Sequence, residues 1–404
     1  MGQISRRSLL TGTAAWTMSQ LLASCSSQSI PTLKVLLLRG SIPAQLLNEF
    51  RRQEEKASRP VNLDFSAEQQ LQELFLLLQA WQQRSNKATP SSGSSLPSWI
   101  PFWGKSATNG MPDLVTLGDY WLGKAIQQGL LKPIDVSRLK NWSQLSQNPK
   151  LKELLTRNDQ GQPDRNGQVW GVPYRIGNTV IAYRRDIFEQ RKLPPPTDWS
   201  DLWRPDLHRR ISLPDQAREV IGLTLKKLGK SYNTTDLAAV PNLEKELRSL
   251  QDQVKLYSSD AYLQPLLLED TWLAVSWSTD VLPIMQRSPQ IAAVVPKSGT
   301  ALWADMWVHP TANPDALSSA ATDWIDFCWQ PAIANQLSSL TWTISPVLLG
   351  KSTEKLSEDL RRNPVRLPDT QVLQNGEFLQ PLSEAANSQY EKLWQRIRNE
   401  TERS

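Results

Sequence analysis

Cys25 is the residue whose chemistry its neighbours frame most sharply. Leu22-Ala23-Ser24-Cys25 has the form of a bacterial lipobox: small residues admit a signal peptidase to the bond before the cysteine, and the thiol is then acylated. Upstream, Arg6-Arg7 precede a short stretch diluted by Thr, Gly and Ala, as in a twin-arginine export signal. That stretch is too short and too polar to remain as a membrane span. Two acyl chains on one cysteine suffice for stable anchoring where one is marginal. The expectation is therefore an export signal over 1–24, a lipidated tether over 25–32, and a mature protein held on the periplasmic side of the cytoplasmic membrane. A plain secretory peptide with a chance cysteine is the alternative.

Elsewhere the reactive residue types do not assemble. His208 and His309 share no metal-ligand spacing, and no Gly-x-Ser-x-Gly elbow or Ser/His/Asp arrangement occurs. Gly229-Lys230-Ser231 lacks the preceding glycine that a phosphate loop has with four residues between, since six separate it from Gly222. Cys328, on a helical pattern, reads as a buried inert thiol. No catalytic residue, metal or cofactor is expected. What remains is acids and indoles: 17 Trp stand against 7 Tyr and 7 Phe, an excess that asks for a purpose beyond packing. Acids such as Glu219 and Asp305 among tryptophans leave a Trp-lined glycosidase as one enzyme alternative.

The chain that must position these groups has 404 residues, 21% charged and 39% hydrophobic, with a formal net charge of +5. That composition excludes a disordered polar chain, and without a Lys/Arg block or aromatic–basic motif it gives no sign of nucleic-acid binding. Loss of residues 1–24 removes two arginines and no acid, leaving +3. Leu33–Leu38 is an apolar run interrupted only by Lys34, as in a buried parallel strand, and helical spacing follows from Pro43 to Arg52. Val61–Phe65 alternates as a strand, Glu68–Gln83 is an amphipathic helix, Asp113–Thr116 is a third strand, and a helix runs from Tyr120 to Leu130. Lys87–Ser95 is a low-complexity loop, and Trp99-Ile100-Pro101-Phe102-Trp103 is either a flap or a loop packed on its own domain. Gly171-Val172-Pro173-Tyr174 opens a second strand unit, and Asp198-Trp199 a capped helix. Strand–helix alternation of this kind predicts two α/β units. Trp199, Trp203, Trp324 and Trp394 fall at helical packing positions.

Four blocks carry a family likeness: Gly171–Tyr174, Trp199–Pro205, Asp215–Ile221 and Leu228–Thr234. Val295–Thr300 before Trp303-Ala304-Asp305, then Asp323–Phe327 and Asn375–Phe378, continue it in order. The sequence resembles the spermidine/putrescine-binding proteins of bacterial ABC importers over residues 33–395. The resemblance implies a two-lobed periplasmic-binding-protein fold, α/β in both lobes, with crossing hinge strands and ligand held between the lobes. It places the crossings near Asn178, Trp303 and Gly350. The first lobe is then 33–177 plus 304–350 and the second 178–303 plus 351–404, opening and closing about the hinge. The implied partners are a polyamine and the permease subunits of an importer, with the protein acting as a monomer.

The resemblance also implies the binding residues. Glu219 grips a terminal amine, Asp305 pairs with an inner one, Trp303 and Trp277 form aromatic walls, and Tyr120 and Trp342 add contacts. Three departures stand out: Gln216 where the family has a second acid, Leu38-Arg39-Gly40-Ser41 where it has aromatics, and Arg175 after Gly-Val-Pro-Tyr. Cations at Arg39 and Arg175 facing the cleft repel a polycation; facing solvent they do not. A sugar, an iron complex or an anion is accordingly the alternative ligand class.

Overall fold

A strand with apolar residues on both faces has to be covered on both, and Leu33, Val35, Leu36 and Leu37 are indeed all buried, with Lys34 the one charged residue among them. The computed structural model describes residues 30–86, 110–367 and 370–401. The export signal, Cys25 and most of the tether lie outside the described residues, as do Lys87–Ser95 and Trp99–Trp103.

The first half of the chain runs β1 (Thr32–Leu38), α1 (Ala44–Lys56), β2 (Asn62–Glu68), α2 (Leu71–Asn86), β3 (Leu114–Gly118) and α3 (Asp119–Gln127). β2 is an edge strand, so it alternates in exposure where central β1 does not. α2 begins three residues later than its apolar pattern suggests, because Glu68 is still paired in β2 opposite Leu38. Next come β4 (Gly171–Arg184), β5 (Ile211–Leu213), α4 (Ala217–Lys227), β6 (Val254–Tyr257), β7 (Leu273–Trp277), α5 (Ser278–Arg287), β8 (Ile291–Val294) and β9 (Ala301–Pro310). Helices α6 (Ser319–Cys328), α7 (Pro331–Thr341) and α8 (Glu384–Thr401) follow. Trp199–Trp203 is a short 3₁₀ turn rather than a full helix, closed by reciprocal capping between Asp198 and Asp201.

The strand order is β2-β1-β3-β9-β4-β7-β5-β6, with β8 also paired to β4. β2, β1 and β3 run parallel, as do β7, β5 and β6. Between these two halves stand β9 and β4, antiparallel to each other and to their flanking neighbours β3 and β7. The hydrophobic core changes identity along both. Val172, Tyr174 and Ile176 of β4 belong to the first core, whereas Val180, Ile181 and Ala182 belong to the cores of the second half. On β9, Ala301 packs in the second core and Leu302, Ala304 and Met306 in the first. Late segments continue the exchange: Leu356 and Leu360 pack in the first core, and Tyr390, Leu393 and Ile397 of α8 in the second.

Tryptophan anchors each core. Trp324 is fully buried, with Phe50 and Phe65 edge-on at 5.1 Å and Phe327 stacked at 5.5 Å. Trp199 is likewise buried, its indole N–H donating to Gly299 O at 2.8 Å. Cys328 is a buried free thiol, and burial pushes its pKa up. His309 ends β9 between the carbonyls of Asp113 and Asp315. Among the described residues, no helix is long and apolar enough to cross a membrane. Replacing Trp324 by Ala should cost about 3–5 kcal/mol through lost burial and an unfilled cavity. A urea titration should show the midpoint fall accordingly, and an unchanged midpoint refutes Trp324 as the anchor of this core.

Candidate functional site

Residues 175, 177 and 179 of β4 share one face, because side chains alternate along a strand. Their partners across the ladder face the same way: Asp305 opposite Arg175, Trp303 opposite Gly177, and Trp277 opposite Thr179. A bulge sets this register. Asp305 pairs with Arg175 but Met306 with Pro173, leaving Tyr174 unpaired and stacked on Trp307 at 4.1 Å. The face spans about 13 Å from Arg175 to Thr179, at a rise of about 3.3 Å per residue.

Gly177 is required here by space. A Cβ on it would lie 2.0 Å from Cζ2 of the Trp303 ring, so the indole lies flat over the strand where any other residue would stand. The Trp303 Nε1 is buried without a hydrogen-bond partner. Beside it the Arg175 Nε donates to Asp305 Oδ2 at 2.6 Å, and Nη2 reaches the same oxygen at 2.6 Å. Burial opposes charge on both side chains; Arg175 is nonetheless held charged by its partners, whereas burial outweighs the guanidinium at Asp305 and pushes that carboxyl up. The guanidinium carbon sits 5.9 Å from the Trp303 ring and 6.0 Å from that of Tyr174.

Two further acids border this face without an ion-pair partner among the described residues. Glu219, buried in the first turn of α4, accepts a hydrogen bond from the Thr179 hydroxyl at 3.1 Å. Burial pushes its carboxyl up to about 7, against the Thr179 bond and the Arg218 charge. Asp119 opens α3; its Oδ1 accepts from Ala304 N at 3.2 Å, while Oδ2 is buried with no partner. Burial, with the neighbouring Asp305 charge adding to it, pushes Asp119 up to about 7 as well.

The other anticipated residues surround this strip. Trp277 has Tyr262 edge-on at 5.5 Å, and the Tyr262 hydroxyl donates to Asp280, which lies within electrostatic reach of Arg175. Trp342 caps α7 in the left-handed region (φ 59°), two residues before the Ile344–Ile176 bridge. Its ring lies 5.0 Å beneath the buried Arg366 guanidinium, which donates to Asp359 at 2.5 Å. Tyr120 is 58% exposed on α3, close enough to Arg218 for their charges to interact. Gln216 is exposed at the start of α4 and makes no capping bond there. Arg39 is exposed at the end of β1.

Asp119, Asp280 and Arg366 were not anticipated from the residue pattern. Asp119 had one available signal: Gly118-Asp119 joins a strand end to a helix start, where ligands of α/β sheets bind. Arg366 had none, because it reaches Trp342 only through the fold. Among the described residues, no group of three or more His, Cys, Asp and Glu is placed to hold a metal ion.

A model of the bacterial extracellular solute-binding proteins matches residues 109–375. The chain is 29% identical over 294 residues to the spermidine/putrescine-binding periplasmic protein of Escherichia coli (strain K12), covering 73% of this chain and 79% of that protein. It is 25% identical over 292 residues to the putrescine/cadaverine-binding protein of Pseudomonas aeruginosa, covering 68% and 76%. The structure resembles that of the spermidine/putrescine ABC transporter substrate-binding protein PotD of Streptococcus pneumoniae, with a TM-score of 0.73 at 20% identity. That match covers 91% of this chain and 98% of the other, and the fold is accordingly the two-lobed one.

Glu219 should make itself felt in stability. Its ordinary pKa is 4.5 and its folded one about 7. Between these values the folded protein keeps a proton that the unfolded chain has released, so rising pH destabilises the fold through this window, by on the order of 3 kcal/mol. Glu219→Gln keeps an acceptor for Thr179 and removes the charge. Its melting temperature should exceed that of the unaltered protein at pH 8 and match it near pH 4.5. Equal melting at pH 8 contradicts an unpaired buried carboxylate.

Proposed function

Because the chain belongs to the bacterial extracellular solute-binding proteins, we propose that it captures a small amine cation, of the putrescine and spermidine class that its relatives are named for, between its two lobes. Proteins of this family bind small molecules for ABC permeases and are not enzymes, and this chain is a binding protein in that sense. The observation that carries the amine reading is Glu219: a buried carboxylate with one neutral hydrogen bond, raised pKa and no ion-pair partner, bonded to Thr179 of the crossing strand, whose ladder partner is Trp277. An ammonium placed there supplies the missing charge, and a neighbouring indole face adds about 0.5–2 kcal/mol. Asp119 adds a second uncompensated acid on the first-lobe side. Arg175 is committed to Asp305, which weighs against an anionic ligand on this face. The same commitment of Asp305 disfavours a glycosidase, which needs both acids free.

In this reading Trp277 and Trp303 are walls, Tyr120 and Gln216 line the rim, and Trp342 stands at the crossing. The lobes close by bending where β4 and β9 change cores. Asp305 carries a feature the sequence does not announce: its Oδ2 is already paired with the protein's own guanidinium, so a ligand amine has to share this carboxylate with Arg175 or displace it. Titration calorimetry with putrescine should give saturable one-to-one binding that tightens from pH 6 to pH 8, as Glu219 loses its proton. Glu219→Gln should weaken it about thirty-fold, on the order of 2 kcal/mol, the range for stranding one partner of a buried charge pair. Binding that survives Glu219→Gln unchanged removes Glu219 from the site.

The mature protein, in the same proposal, is a monomeric lipoprotein exported by the twin-arginine route and tethered through Cys25 to the cytoplasmic membrane. Cys25→Ala should abolish fatty-acid labelling in cells; labelling that persists in the variant refutes the anchor.

A further inference from the structure

The Asp305 carboxylate and the Trp303 ring form the kind of seat a cation takes, an acid under an aromatic wall, and the cation in that seat belongs to the protein. Arg175 bonds Asp305 through two nitrogens at 2.6 Å and lies 5.9 Å from the Trp303 ring, all on the same face of β4 as Thr179 and its Glu219 partner. We propose that Arg175 is a built-in surrogate for a ligand ammonium, so that the cleft accepts an amine of one or two charges at Glu219 and rejects a longer triamine. This rests on the amine reading above and deepens it.

Three physical points support the assignment. A guanidinium cannot be neutralised at any working pH, so the seat does not empty by proton loss. The Arg175 and Asp305 side chains are buried, so displacing the guanidinium strands a charge in a desolvated seam. The surrogate is also tethered: it competes at the effective concentration of a short linker, of order mM or higher, against a free ligand. Arg175 and Thr179, which hold the two acids, are about 13 Å apart along the β4 backbone, nearer the length of an extended triamine than that of a short diamine. A triamine gripped at Glu219 therefore brings its far ammonium towards Arg175, where like charges repel.

The experiment is calorimetry with putrescine and spermidine on the unaltered protein, Arg175→Met, Arg175→Lys, and the double variant Arg175→Met with Asp305→Asn. The unaltered protein should bind putrescine at least ten-fold more tightly than spermidine. Arg175→Met keeps the apolar stem and frees Asp305, so spermidine should gain ten-fold or more while putrescine shifts less than three-fold. Arg175→Lys keeps a charge on Asp305 and should retain the preference for putrescine. The double variant removes both charges, which keeps it foldable if Arg175→Met alone is not. It should lose the rejection of spermidine but bind it less tightly than a folded Arg175→Met does. Spermidine binding the unaltered protein as tightly as putrescine, or a ratio unmoved in every Arg175 variant that removes the charge, overturns the surrogate while leaving the amine reading intact. A folded protein that binds neither amine overturns the amine reading, and the surrogate with it.

Discussion

The antiparallel pairing of Gly171–Arg184 with Ala301–Pro310 is the interaction on which everything else depends. It joins two three-stranded parallel halves that otherwise have separate hydrophobic cores, and it does so with strands long enough to enter both. Parallel strands need covering helices on both faces, so each half builds its own layered core. The antiparallel pair between them runs through the seam. On one face of that pair at the changeover the residues belong to neither core, and these positions are Arg175, Gly177, Thr179, Trp303 and Asp305.

A seam of this kind imposes an electrostatic problem. Carboxylates that leave water lose hydration, and each must find a cation, find hydrogen bonds, or take up a proton. The structure uses all three. Asp305 has Arg175; Glu219 has one hydroxyl and a raised pKa; Asp119 has one backbone amide and one oxygen with no partner. Acids left in this state are destabilising by themselves, and perturbed carboxylates of this kind cluster at functional sites. Gly177 is the steric counterpart of the same arrangement, since its missing side chain lets the indole lie against the strand beside the ion pair.

Much of this was legible along the chain, for particular reasons. Leu33–Leu38 read as a buried strand because both faces are apolar, and Val61–Phe65 as a half-exposed one because its faces differ; β1 and β2 occupy central and edge positions accordingly. Trp199 and Trp324 read as core from helical spacing and are fully buried. Glu219, Trp277, Trp303 and Asp305 were legible only through their order relative to recognisable blocks, and the fold brings all four to the crossing strand. Arg175 was visible as a misfit but undirected, because one residue's position in a strand says which face it shares and not what it meets there. The bulge that skips Tyr174 decides that meeting, and no local pattern announces it.

The sequence by itself determined the two α/β units, the packing tryptophans, the inert thiol and the absence of any recognisable metal or nucleophile motif. These follow from periodicity, composition and spacing, which act within a few residues of one another. Only the tertiary structure decided which charges are compensated. Asp305 and Arg175 are 130 residues apart, and Glu219 meets Thr179 across another 40. Whether a carboxylate seeks a ligand depends on its distance to one cation and on how much water it retains. Both quantities are set by how the halves are stitched together, and neither is a property of any stretch of sequence.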